Sequence, residues 1–529
     1  MTIFRSSYTI LHICITTFVS SIVVLTSCES YHRNKTHAAI PESRIQKGEV
    51  LAKKHCQSCH ALPDPSMLDV TSWEEGVLPN MGPRLGIYKH NFKRYPSAIN
   101  DPNLPPDFYP PEPVLKPEEW QNIIDYYVAT SPDSLQETSS STNIQLNLPF
   151  FKVEIPLSTY PDPAVAFISI NITSSKKTIV LSDIRKEQIL QYTDSLRLED
   201  SIPSAGSIVD MIFNNNDKVL ACDIGVVNPT NGKFGRGLFF SKGNDGNLKA
   251  DSLPAFDKLA RPVKISAADL NVDKRTDYVI CEFGHFIGSL SWMENKGDGS
   301  FTRWELASQP GAIKSEVYDY NKDGLPDIWV LFTQGKEGIV LFTNKGKGKF
   351  EQREVLSFPA VNGSTYFELC DFNNDGYKDI LYTCGDNADY SAVLKPYHGC
   401  YIFLNDGKNQ FIQKYFFHIN GCFKAIPRDY DNDGDLDIAS IAFFADYSRR
   451  PEEGFVYLEN KGNFIFQPYS FPESNLGRWL TMDAGDFNAD GEPDIVLGNF
   501  SIRPSATTPL NDWKKGPPFI LLKNISRSH

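Results

Sequence analysis

One phrase recurs through the second half of this 529-residue chain: Asp-x-[Asn/Asp]-x-Asp-Gly-x-x-Asp, followed at once by an apolar run. It starts at Asp269, Asp319, Asp371, Asp429 and Asp486, at intervals of 50, 52, 58 and 57 residues. A second phrase follows the first four: an aromatic-rich run, then Asn and Gly, as in Ser291-Trp-Met-Glu-Asn-Lys-Gly297 and Val340-Leu-Phe-Thr-Asn-Lys-Gly346. Each unit therefore offers four short strands in roughly fifty residues. One such sheet cannot cover both of its faces alone, so the units must stack as blades of a β-propeller. Two fainter units, marked by Ile179-Val-Leu-Ser-Asp183 and Val219-Leu-Ala-Cys-Asp223, precede the five clear ones without acidic loops. Five and two predict about seven blades over residues 148–525, with 519–524 as the closing strand.

The repeated loop places side-chain oxygens at positions 1, 3, 5 and 9. These are Asp269, Asn271, Asp273 and Asp277; Asp319, Asn321, Asp323 and Asp327; Asp371, Asn373, Asp375 and Asp379; Asp429, Asp431, Asp433 and Asp437; and Asp486, Asn488, Asp490 and Asp494. Hard oxygens at alternate positions of a tight loop suit calcium. An EF-hand would need a Glu at position 12, where this chain has Ile280, Val330, Tyr382, Ser440 and Leu497, so that motif is excluded. The loops resemble the FG-GAP or VCBS repeat of integrin-like propellers. That resemblance implies calcium between the first two strands of a blade, in a structural role. The alternative is that the Asp side chains only bond turn N–H groups. In the first loop Lys274 replaces the Gly that favours a positive φ, which weakens the case for an ion there.

Upstream lies a different signal, Cys56-Gln57-Ser58-Cys59-His60. With ten Cys and ten His in the chain, C-x-x-C-H is expected by chance only about 0.004 times. Two thiols at this spacing add to the vinyl groups of one haem, and the adjacent His then sits under the iron. A zinc site would need a second Cys or His pair, and His90 is alone between 60 and 130. Residues 45–55 look helical, and Trp120, Ile123, Ile124 and Tyr127 repeat at helical spacing after Pro117. These flanks resemble the first and last helices of a class I cytochrome c. The resemblance implies haem c held by Cys56 and Cys59, with His60 as proximal iron ligand. Met81, in a Pro/Gly-held loop, is the first choice for the distal ligand; Met67, His90 and an open site are the alternatives. His/Met ligation would make this part an electron carrier.

Residues 1–27 carry one charge, Arg5, and an apolar stretch over 8–25. They end in Leu25-Thr26-Ser27-Cys28, which resembles a bacterial lipobox. That implies an exported lipoprotein, anchored through Cys28 to a membrane surface and facing the periplasm or cell surface; the alternative is an uncleaved anchor helix. No later apolar run is long enough to span a bilayer. A net charge of −13 has the wrong sign for nucleic-acid binding.

The expected organisation is therefore multidomain. It comprises a signal peptide (1–27), a tether (28–43), a small all-α cytochrome c domain (44–132), a polar linker (133–147) and an all-β propeller of about seven blades (148–525). Aligned on the first Asp, Lys264, Lys314 and Lys424 fall five residues before it, on the innermost strand. They line a solvated channel or, alternatively, bind an anionic ligand. Cys384 and Cys400 are candidates for a bridge across adjacent strands, while Cys222 and Cys281 read as buried thiols. The leading functional reading is an electron carrier with a redox partner protein and a calcium-stapled propeller that docks a partner or ligand. A quinoprotein-like dehydrogenase feeding the haem, or a purely adhesive module, are the alternatives.

Overall fold

Each fifty-residue unit folds as an antiparallel sheet whose strands run outward in chain order. The computed structural model describes residues 31–32, 34–136, 143–172, 177–213, 218–242, 248–388, 390–502 and 511–526. Seven sheets result. Blades 1 to 6 occupy residues 165–203, 208–259, 262–307, 312–357, 364–418 and 422–469. Blade 7 combines 479–524 with a strand from far upstream. The chain is thus a seven-bladed β-propeller over most of its length.

Burial follows the layer. Second strands such as Asp277–Glu282, Asp327–Phe332 and Asp379–Cys384 are buried at every position, because a neighbouring blade covers each face. Outer strands such as Phe350–Ser357 alternate little and lie mostly in solvent. Every innermost strand carries a register shift at the same place, between Pro262 and Lys264 in blade 3 and between Ala312 and Lys314 in blade 4. Such a bulge re-aims the side chain beyond it.

Ring closure differs from the sequence expectation. Phe519–Asn524 is the third strand of blade 7, and the outermost is Phe151–Glu154, antiparallel to it with Leu521 opposite Glu154. Phe151 lies against the rings of Tyr430 and Tyr457 in blade 6, at 5.7 and 5.5 Å. The first propeller strand of the chain is thereby locked to the last.

The expectation of a separate all-α domain is overturned. Among the described residues upstream of the propeller, the α-helices are α1 (Glu42–His55), the single-turn α2 (Leu78–Met81) and α3 (Pro117–Thr130). The other described residues there form 3₁₀ and π turns, two-residue ladders and extended loop. α3 forms because Pro117 opens it, the Glu119 carboxylate accepts the Lys116 N–H at 2.8 Å, and Trp120, Ile123, Ile124 and Tyr127 make a buried stripe. α1 crosses it at Gly48, where a Cβ would lie 1.9 Å from the Asn122 carbonyl oxygen. The apolar cluster between them continues into Val361 and Val393 of the propeller. Tyr397 donates to the carbonyls of Met67 and Val361, both at 3.2 Å. Asn231 donates to Asp101 at 2.8 Å while accepting from the Phe286 N–H at 2.9 Å. Helical periodicity over 45–55 and 117–130 is a local signal; the core it belongs to is completed by propeller loops, so the segment is packed on the ring.

Those loops, over 224–234, 283–288 and 385–398, join second strands to third. The Asp loops join first strands to second, so they lie on the opposite face. Ahead of α1, Tyr31–His32 pairs with Ile40–Pro41, and Asn34 is buried with its amide donating to the Ser131 carbonyl at 3.0 Å. Beyond α3, Ile144 is buried between blades 5 and 6. The signal stretch 1–27 and Cys28 lie outside the described residues. Among those described, no helix is long and apolar enough to cross a membrane.

Candidate functional site

The five Asp loops share one hydrogen-bond scheme. The position 1 carboxylate accepts from the N–H of position 5, as Asp319 does from Asp323 at 3.1 Å, and from position 6, Gly324 at 2.9 Å. The position 9 carboxylate is fully buried and ties the loop to the end of strand three. Asp327 accepts from the Tyr320 N–H at 3.3 Å and the Asn344 N–H at 2.7 Å; Asp379 does so from Phe372 and Asn405, both at 2.9 Å. This is why Asn of the second phrase follows the Asp loop in each unit. Position 6 is left-handed in all five loops, at φ 84° to 97° for Gly324, Gly376, Gly434 and Gly491, and at 68° for Lys274.

The loops differ in what neutralises them. In blade 6, Asp429, Asp431 and Asp433 bring three carboxylates within 4.8 Å of one another. Burial, then the neighbouring Asp433, pushes the Asp431 carboxyl up to about 6, and burial pushes Asp437 up to about 8. Burial likewise raises Asp277, Asp327 and Asp379, and takes Asp494 to about 6. Crowded, desolvated carboxylates of this kind fit a hard divalent cation. In blades 4 and 5, Asn321 and Asn373 instead donate to Asp323 and Asp375 at 2.9 Å, so an ion requires the amide to turn its oxygen inward. Two loops hold cations of their own. Arg275 of blade 3 pairs with Asp273 and donates to the Asn295 carbonyl at 2.9 Å. Lys177, reaching from blade 1, sits 3.0 Å from the Asp486 carboxylate. Position 7 of the first loop was the signal for Arg275; nothing local in the sequence marks Lys177.

The C-x-x-C-H motif leaves the end of α1 as a tight turn. The Cys56 N–H donates to the Ala52 carbonyl at 2.8 Å, and the Cys59 N–H to Cys56 at 3.3 Å. Both thiols are free, Cys56 half-buried and Cys59 exposed. Burial, then Cys59, pushes the Cys56 thiol up to about 11, opposite to the depressed value of a redox-active C-x-x-C nucleophile. His60 Nδ1 lies 2.9 Å from the Ala61 carbonyl, which orients the ring and leaves Nε2 free to ligate. Met81 ends α2 and borders the same apolar cluster as Cys56. His90 is engaged elsewhere, with Nε2 2.7 Å from Gln121 Oε1. Met67 has its backbone held at the propeller by Tyr397. Cys56, Cys59 and His60 therefore fit a covalently attached haem, which they would hold.

The inner strands place Lys264, Lys314 and Lys424 around the axis, each already satisfied. Lys264 bonds both oxygens of Asp210, at 3.0 and 2.9 Å. Lys314 lies 3.3 Å from Glu316, and Lys424 donates to the Met482 carbonyl at 2.7 Å, burial lowering its pKa to about 8. The two cations flank the Tyr366 ring at 4.7 and 5.1 Å. Cys384 and Cys400 are free thiols that cannot be bridged in this register: Thr383 pairs with Cys400, so the two cysteines face opposite sides of the sheet. Cys222 and Cys281 are fully buried thiols.

Residues 269–330, 319–382 and 429–497 match the FG-GAP-like repeat. No curated protein sequence matches the chain. Among solved structures it is similar to virginiamycin B lyase from Staphylococcus aureus, with 13% identity, 71% of this chain and 99% of that one covered, and a TM-score of 0.43. It is also similar to BBS1N in complex with ARL6DN, with 8% identity, 73% and 99% covered, and a TM-score of 0.45. Likeness at this level carries no argument about function. The chain carries FG-GAP repeats on a seven-bladed propeller.

Proposed function

We propose that this is an exported, lipid-anchored electron-transfer protein. Haem c is held by Cys56 and Cys59, with His60 as proximal and Met81 as distal iron ligand, on a segment seated against a calcium-stapled propeller. The observation that carries this reading is His60: its Nδ1 is fixed by the Ala61 carbonyl, one residue from a thiol pair whose turn is already formed. When bound, such a haem supplies a one-electron couple whose iron is closed to small molecules. Cys59 is exposed, so the group it holds presents an edge where a redox partner protein can approach. α1 and α3 exclude water behind the motif through Ala52, Trp120 and Tyr127. Cys28 tethers the assembly to a membrane surface.

Expressed with a haem-attachment system, the protein should retain one haem after denaturing electrophoresis and show a low-spin reduced-minus-oxidised spectrum. Cys56→Ser with Cys59→Ser should abolish retention, and Met81→Ala should remove methionine ligation. Absence of covalent haem in the parent protein sinks the reading; an unchanged Met81→Ala spectrum moves the distal role to Met67 or His90.

Calcium in the Asp loops is supported most strongly in blades 4, 5 and 6, where among the described residues no Lys or Arg side chain pairs with the loop carboxylates. Equilibrium dialysis should count about three tight sites per chain, and Arg275→Ala should add one. Chelation should lower the melting temperature by at least about 5 °C. A chelator-insensitive melt with no bound calcium would leave the loops as hydrogen-bonded turns.

A further inference from the structure

On the Asp-loop face, blades 4 and 5 part to leave a cavity of about 440 Å³. That volume falls within the roughly 300–1,000 Å³ typical of small-ligand sites. Its wall is aromatic: Tyr318, Tyr320 and Tyr377 line it, and Trp329 lies at its base. Trp329 is 2% exposed, held edge-on to Tyr320 at 6.0 Å, and its buried indole N–H has no acceptor among the described residues.

The rim is cationic. Lys322 and Arg353 stand on the blade 4 side, Lys378 and Lys408 on the blade 5 side, and no carboxylate lines the cavity. None of these four is in an ion pair among the described residues. Their neighbours on the same blade are paired, Lys336 with Glu354 at 2.7 Å and Lys345 with Glu351 at 2.9 Å. The channel lysines are satisfied as well, whereas at this rim positive charge is gathered and left open. Acids of the adjoining turns are engaged locally: Asp323 and Asp375 accept the N–H groups of Leu325 and Tyr377 at 2.9 Å, and Asp406 accepts those of Lys408 and Gln410.

We infer that this cavity binds an acidic oligosaccharide, a chain of uronate or sulfated sugar residues. Tyrosine rings and their hydroxyls suit the C–H faces and hydroxyl groups of a sugar. The cations are divided between the two walls instead of converging on one point, which fits a polymer with one charge per residue better than a single phosphate. The inference is independent of the haem reading and does not require occupied calcium loops.

The test uses the full chain, titrated with a galacturonate hexamer and with a chondroitin sulfate hexasaccharide, against maltohexaose and ATP. At least one acidic hexamer should bind, more weakly as salt rises, and quench tryptophan fluorescence. Trp329→Phe should remove the quench while the protein stays folded by circular dichroism. Arg353→Gln with Lys408→Gln, both exposed, should weaken binding about tenfold or more. The inference fails if neither acidic hexamer binds at about 1 mM. It fails equally if maltohexaose or ATP binds as tightly, or if the double variant binds like the parent.

Discussion

Asp437→Ala is expected to destabilise the propeller by about 4 kcal/mol or more, whether or not calcium is present. The carboxylate is fully buried and accepts from the Asn460 N–H at 2.7 Å, the Tyr457 hydroxyl at 2.7 Å and the Tyr430 N–H at 3.2 Å. Alanine strands three donors where water cannot reach, at about 1–3 kcal/mol each. A thermal melt in excess chelator should therefore fall by roughly 10 °C. Asp431→Asn is the contrast, since that residue is partly exposed and its role is to gather charge. Its melt should match the parent in chelator and fall below it only when calcium is supplied. If the Asp437→Ala effect vanished in chelator, position 9 would be an ion ligand alone and the backbone staple would be secondary.

Gly48→Leu should release α1 from α3 at a cost above about 3 kcal/mol, without lowering the melt of the ring. The added Cβ would lie 1.9 Å from the Asn122 carbonyl oxygen and 2.8 Å from the Tyr126 Cβ. Neither is the yielding end of a flexible side chain, so the helices must part. Hydrogen exchange should rise in α3 around Trp120 and Ile123, while Asp327–Phe332 and Asp379–Cys384 stay protected. Unchanged exchange in α3 would show that the crossing is not held at Gly48.

The blades were legible because their code is local. Asp and Asn at fixed offsets describe a turn, and Asn344 or Asn405 reports the strand that returns to it. Seven inner bulges, by contrast, leave no composition signal, yet they aim Lys264, Lys314 and Lys424. The helical stretches were also legible; what completes their core was not, because Val361, Val393 and Phe286 lie hundreds of residues away. The Phe286 ring packs over Arg84, 4.6 Å from the guanidinium, which lies 4.2 Å from the Phe108 ring, a contact no sequence pattern announces. Cys384 and Cys400 misled for a related reason: adjacency of strands is readable, but the register that sends them to opposite faces depends on the length of the 385–398 loop. Arg275 stood in view as an ordinary polar residue, and its meaning came only from the carboxylate it meets.

The pairing of Phe151–Glu154 with Phe519–Asn524 also sets an order of events. The outermost strand of blade 7 is the first propeller strand to emerge from the ribosome, and it stays without its partner until blades 1 to 6 have followed. Blades 1 to 6 can each form from contiguous sequence, but the circle is joined only when Phe519–Asn524 meets Phe151–Glu154, across a loop closure of more than three hundred residues. A chain cut short before Phe519 would carry up to six good blades and an open seam with bare strand edges. Arrival of Phe519–Asn524 thus acts as a checkpoint: only a ring that has this strand hides its seam.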